Sequence, residues 1–177
     1  QCVLEIASGT GQHAVYFGHA LPHLSWQTSE LAQNHEGILA WLNEIKLPNV
    51  LPPIIIDVND AKWPIEIVDT VFNANMVHII SWPEVERLFA GITRVLNANG
   101  ILCLYGPFKY EGKFTSESNA RFDALLRSRD SNSGIRDFED INRLAEMHGL
   151  FLVRDVAMPS YNQTLIWQRT PRILKTP

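Results

Sequence analysis

Three carboxylates and a glycine turn carry most of the chemistry that can be read from residue type and spacing in this chain. The stretch Leu4-Glu5-Ile6-Ala7-Ser8-Gly9-Thr10-Gly11-Gln12-His13 runs an apolar strand into a turn, and Ala14 completes the pattern G-x-G-x-x-A. Glycines in such a turn let the backbone approach a nucleotide closely. Glu30 follows at the distance expected of an acid that accepts hydrogen bonds from ribose hydroxyls. Asp57 ends a third apolar run, Ile54-Ile55-Ile56. The ends of successive strands in an open α/β sheet line one crevice, so Glu5, Glu30 and Asp57 are expected to face one ligand.

Gly9, Gly11, Ala14 and Glu30 by themselves fit NAD. Glu5 points elsewhere, because a carboxylate under the turn would repel a pyrophosphate in a partly desolvated crevice. It would attract a nucleoside carrying an ammonium and a sulfonium. The plainer roles are a capping acid at Glu5, a helix-start acid at Glu30 and a turn former at Asp57, where Asn59-Asp60 follows.

Glu5-x-Ala7-x-Gly9-x-Gly11 resembles the first motif of class I S-adenosylmethionine-dependent methyltransferases, usually E/D-x-G-x-G-x-G. The longer string LEIASGTGQHAVYF resembles an uncharacterised methyltransferase-like subgroup catalogued as a domain of unknown function, and the likeness extends to about Trp167. Ala7 stands where the class usually has glycine, and an alanine enters positive φ with difficulty. The resemblance implies S-adenosylmethionine as cofactor. It would be bound by Glu5, Ala7, Gly9, Gly11, Glu30, Asp57, Val58 and Asn75, with Asp57 accepting from the adenine amino group and Val58 stacking on the ring. In Asn73-Ala74-Asn75-Met76-Val77-His78, Asn75 is expected near the cofactor's amino-acid end or the substrate, and His78 is the candidate general base. Tyr105, Phe108 and Tyr110 are expected to line an acceptor pocket, with Lys109 placed to attract a carboxylate and Trp82 to cover the cofactor. Two rivals stand beside this reading: an NAD-binding oxidoreductase, and a non-catalytic methyltransferase-like binding protein.

Other chemistries lack their motifs. His19 and His23 are four apart, but Pro22 interrupts the helix between them, so no metal site is expected. Neither Gly-x-Ser-x-Gly nor His-Glu-x-x-His is present. A net charge of -4, no Lys/Arg run and no Asp/Asn-Pro-Pro-Tyr/Phe motif argue against nucleic acid, and an acidic chain with a short aromatic-rich loop on the acceptor side points to a small-molecule acceptor, with a peptide as the alternative. Cys2 and Cys103 lie in apolar runs and read as buried thiols of a reducing compartment. With no membrane-length apolar stretch and no signal peptide, a cytoplasmic location is the default.

The elements that must position these residues alternate. Strands are expected at Val3 to Ile6, Ser25 to Glu30, Ile54 to Asp57, Ile67 to Asn75 and Ile101 to Tyr105. Helices are expected at Gln12 to Leu21, Asn34 to Leu47 and Pro83 to Leu96, the last with Val85, Leu88, Phe89, Ile92 and Val95 on one face. Asn97 to Gly100 reads as a turn with Gly100 suited to positive φ, and Lys109 to Ser118 as a polar loop. Further helices at Asn119 to Arg127 and Asp137 to His148 precede an antiparallel pair, Phe151 to Ala157 and Thr164 to Gln168. The 177 residues, 46% hydrophobic, suffice for one domain. The expected fold is Rossmann-like, a seven-stranded, mostly parallel sheet with an antiparallel edge strand and helices on both faces. Gln1 enters the first strand directly, so an N-terminal segment is expected to be missing.

Overall fold

The computed structural model describes residues 1–170. Period-two alternation of apolar residues builds the strands β1 (Cys2–Ile6), β2 (Ser25–Glu30), β3 (Val50–Ile55), β4 (Val68–Ala74) and β5 (Leu96–Gly106). Between the first three lie the helices α1 (Gln12–Ala20) and α2 (His35–Ile45), and α3 (Trp82–Val95) joins β4 to β5. A hairpin follows, β6 (Phe108–Tyr110) with β7 (Lys113–Phe114), then α4 (Glu117–Arg129), β8 (Arg136–Asp137) and α5 (Phe138–Met147). The last two strands are β9 (Leu150–Met158) and β10 (Asn162–Arg169). The main sheet has the order β3-β2-β1-β4-β5-β10-β9, and β7-β6-β8 form a small second sheet. In the main sheet β1 to β5 run parallel, while β10 lies antiparallel between β5 and β9.

The sheet separates two apolar layers. On one face Leu4, Ile6, Val71, Leu102 and Leu104 pack with Val85, Leu88, Phe89 and Ile92 of α3 and with Ile141 of α5. On the other, Val3, Trp26 and Phe72 meet Ala14 of α1. Helix α3 opens with a capping box, in which the Glu84 carboxylate accepts from the Ser81 backbone N–H at 2.8 Å. No described helix is long and apolar enough to cross a membrane.

Several elements depart from the sequence reading. β3 starts at Val50 and includes Pro52-Pro53, which is tolerated because β3 is the sheet's edge. It ends at Ile55, two residues before Asp57. Asn97 to Gly100 is not a free turn but the irregular start of β5. There Asn99 takes the positive φ, 63°, while Gly100 is needed because a Cβ would stand 2.8 Å from the Leu96 side chain. The expected polar loop from Lys109 holds the β6–β7 hairpin.

Candidate functional site

The turn after β1 is held from both sides. Ser8 N–H donates to the Ser29 carbonyl (2.8 Å), Ser29 Oγ donates to the Glu5 carbonyl (2.7 Å), and Gly11 N–H donates to the Ser8 carbonyl (2.9 Å). Three of its residues are left-handed: Ala7 at φ 56°, Gly9 at 58° and Gly11 at 88°. Ala7 thus adopts the conformation that its Cβ disfavours. A Cβ on Gly11 would lie 3.3 Å from Ile38, whereas one on Gly9 would meet nothing within 4 Å. Gly9 is therefore required by backbone conformation and leaves open space above the turn.

That turn borders a cavity of about 390 Å³. Its lining includes Ala7 after β1, Glu30 at the end of β2, Asp57 and Val58 after β3, Ile79 and Ile80 after β4, and Glu84 at the start of α3. Glu30 is already engaged: Oε2 accepts from Gly9 N–H at 3.0 Å, and Oε1 from Leu31 N–H at 2.9 Å and Asn34 Nδ2 at 3.2 Å. A carboxylate has about four acceptor positions, so it retains capacity for hydroxyl donors. Asp57 Oδ1 accepts from the Asn59 backbone at 2.8 Å and its side chain at 2.9 Å, an Asx turn at the cavity rim. Ala7, Glu30, Asp57 and Val58 thus line one cavity.

Glu5 is elsewhere, and this corrects the expectation that it faces the ligand of Glu30 and Asp57. It shares the α1 face of β1 with Val3 and is 1% exposed. Oε2 accepts from Trp26 Nε1 at 2.9 Å, and Oε1 lies 3.9 Å from His13 Nδ1. Desolvation by burial raises its pKa to about 7, against the lowering effect of the Trp26 hydrogen bond. A residue that is half protonated near neutrality and enclosed by protein is no electrostatic filter between cofactors. The sheet differs from the dinucleotide fold, whose strands continue in parallel in the order 3-2-1-4-5-6, because here an antiparallel strand follows β5.

Asn75, just past β4, is exposed and left-handed at φ 58°, its N–H bonded to the Tyr105 carbonyl at 2.9 Å. His78 follows at 2% exposure. Its Nδ1 is buried without a hydrogen-bond partner among the described residues. A Cβ built on Gly106 would sit 3.6 Å from both this nitrogen and Asn75 Oδ1, so glycine at the end of β5 keeps the space between them. Desolvation, then the Arg136 charge, lowers the His78 pKa to about 4, so the imidazole is neutral at physiological pH.

The three expected acceptor-pocket aromatics separate. Phe108 is fully buried in the core, which removes it as a ligand contact. The Tyr110 hydroxyl donates to Asp155 at 2.7 Å and its ring stacks on Phe138 at 5.3 Å, so it is committed to the hairpin. Burial and Asp155 push its phenol well above the usual range. Only Tyr105 lines one of these two cavities, the second and more apolar one of about 410 Å³ on the α1 face, with Phe17, Trp26, Phe72, Cys103 and Met158. Lys109 pairs with Asp137 at 2.9 Å, and the Trp82 indole donates to Glu86 at 3.1 Å.

Sequence reading missed Met76, Ile79, Ile80 and Glu84 as cavity residues, and Asn73 beneath them. Asn73, 1% exposed, ties β4 to β1 by donating to the Ile6 carbonyl at 2.8 Å. The available signal was polarity at an inward strand position.

The fold has close likenesses among solved structures. An O-methyltransferase family protein from Burkholderia thailandensis superposes with a TM-score of 0.86 at 16% identity, over 97% of this chain and 52% of that one. An O-methyltransferase family 2 protein from Planctomyces limnophilus, solved with apigenin, gives 0.84 at 15%, over 96% and 51%. LepI solved with SAM gives 0.81 at 14%, over 96% and 43%. The chain spans about half the length of the proteins it resembles. These likenesses establish a Rossmann-like methyltransferase fold. A family model described as protein of unknown function (DUF938) matches residues 1–169, and the chain belongs to that family.

Proposed function

We propose that the protein transfers a methyl group from S-adenosylmethionine to a small-molecule acceptor. The observation that carries this reading is the cavity that gathers Ala7, Glu30, Asp57 and Val58 from three strand ends, in a fold shared with methyltransferases. Its residues suit an uncharged nucleoside. Glu30 has acceptor capacity for the ribose hydroxyls, and Asp57 can accept from the adenine amino group. Val58, Ile79, Ile80 and Met76 supply apolar surface for the ring.

The cofactor would supply an electrophilic methyl group, and the chain's own task is alignment and exclusion of water. Asn75 offers an amide toward the space kept open by Gly106. His78 presents the unpartnered Nδ1 of a neutral imidazole to the same space and, in the tautomer protonated on Nε2, would take up the acceptor's proton there. Tyr105, whose carbonyl accepts from Asn75 N–H, turns its side chain into the second cavity.

Calorimetric titration with S-adenosylmethionine, S-adenosylhomocysteine and NAD tests the reading. Both adenosyl ligands should bind and NAD should not, and Glu30→Gln should weaken binding about tenfold or more through the loss of a charged acceptor. Binding of NAD alone would overturn the proposal. Binding of S-adenosylmethionine with no turnover across an acceptor screen would leave a non-catalytic binder as the better description.

A further inference from the structure

The wall of the cavity from Met76 to Ile80 is a compact turn, with the Ile79 and Ile80 N–H groups donating to the Met76 carbonyl at 2.8 and 3.3 Å. Its four carbonyls from Val77 to Ile80 all receive donors from one distant tetrapeptide, Ser133-Gly134-Ile135-Arg136. Arg136 Nε donates to Val77 at 3.0 Å, Gly134 N–H to His78 at 2.9 Å, Ser133 Oγ to Ile79, and Arg136 Nη2 to Ile80. The tetrapeptide is itself anchored. Buried Asp123 accepts from Ile135 N–H at 2.7 Å and from Arg127 Nε at 2.8 Å. Gly134 is at φ 148°, where an added Cβ would stand 2.4 Å from Arg127 Nη2.

We propose, on the reading of the site given above, that Ser133–Arg136 is a positioning clamp in which the Arg136 guanidinium fixes the adenine-side wall and the place of His78. One planar fork spans two carbonyls three residues apart, which an ammonium cannot do. Ile79 and Ile80 then face the cavity from a turn whose four carbonyls from Val77 to Ile80 are each hydrogen-bonded, and Phe122 of α4 closes on the His78 ring at 5.4 Å. Arg136 touches neither cofactor nor substrate in this arrangement and acts through the turn.

The test compares wild type, Arg136→Met, Arg136→Lys and Val95→Ala, the last a destabilised control remote from the cavity. S-adenosylhomocysteine affinity is measured by calorimetry, and amide hydrogen exchange of Ile79 and Ile80 is measured without ligand. Arg136→Met should weaken affinity about tenfold or more and lower protection of both amides by a similar factor, since it removes both charge-assisted hydrogen bonds to the turn, along with the one to the Asn132 carbonyl. Arg136→Lys should not restore either, and Val95→Ala should leave the affinity unchanged. Unchanged protection in Arg136→Met, an affinity loss no greater than in Val95→Ala, or full restoration by lysine would each overturn the clamp while the cofactor reading stands. Failure of the wild type to bind S-adenosylhomocysteine would instead overturn the cofactor reading, and with it the assignment of the clamp to that site.

Discussion

Replacing Glu5 by glutamine should stabilise the protein at alkaline pH and do almost nothing in acid. The side chain is 1% exposed, and burial raises its pKa from the ordinary value of 4.5 to about 7. Folding therefore takes up a proton. Below pH 4.5 both folded and unfolded states are protonated and no penalty exists. As pH rises from 4.5 to about 7 the unfolded chain has lost its proton while the folded one still holds it, so stability falls across that window and levels off above it. At about 1.4 kcal/mol for each tenfold in proton affinity, the full penalty is about 3 kcal/mol. A glutamine keeps an acceptor for Trp26 Nε1 and carries no charge to desolvate. Urea unfolding of both proteins at pH 5, 6, 7 and 8 should give nearly equal stabilities at the acid end and a variant more stable by about 2–3 kcal/mol at pH 8. A difference independent of pH, or a less stable variant at pH 8, would refute the reasoning and mean that the carboxylate is ionised and favourably paired, with His13 as partner.

His78 should behave in the opposite sense. Its lowered pKa makes the neutral ring the folded form, so stability is complete above 6.5 and is lost as pH falls through about 4. Urea titrations of Glu5→Gln and of Glu5→Gln/His78→Gln between pH 4 and 7 should show that slope only with His78 present, by about 3 kcal/mol. At Ala7, glycine should be neutral or stabilising by up to about 1 kcal/mol, since it relieves a left-handed alanine, while valine should cost about 2 kcal/mol or more; thermal melts separate the three. Gly91→Ala places a Cβ 2.2 Å from the Trp63 ring and should cost about 1–3 kcal/mol, with a changed tryptophan environment visible in near-ultraviolet circular dichroism.

Alternating apolar strands and the amphipathic α3 made the parallel sheet legible, because those patterns are local. The place of Glu30, Asp57 and Val58 on a cavity was legible for the same reason: each lies at or just past the end of an apolar run, where the topology places a crevice. Glu5 was misplaced although its position was readable. In β1 it shares a face with Val3, the face that α1 covers, and period-two alternation excludes it from the opposite side. Pro52-Pro53 hid the start of β3, since proline tolerance depends on being an edge, a property of the assembled sheet. The Met76–Ile80 turn was invisible because Val77, Ile79 and Ile80 continue the apolar run of β4 and carry no turn residues. The donors to its carbonyls from Val77 to Ile80 come from Ser133 to Arg136, more than fifty residues away.

The place of β10 has a consequence for the order in which the molecule can be made. This strand pairs with β5 on one side and β9 on the other, yet both partners precede it in the chain. During synthesis the ribosome releases β5 and then β9 while the slot between them stands empty. Until residues 162–169 leave the exit tunnel, β5 therefore presents an open edge and β9 lacks its sheet partner. Nascent chains arrested before that point should be the species that recruit chaperones or self-associate, and those arrested well after it should not.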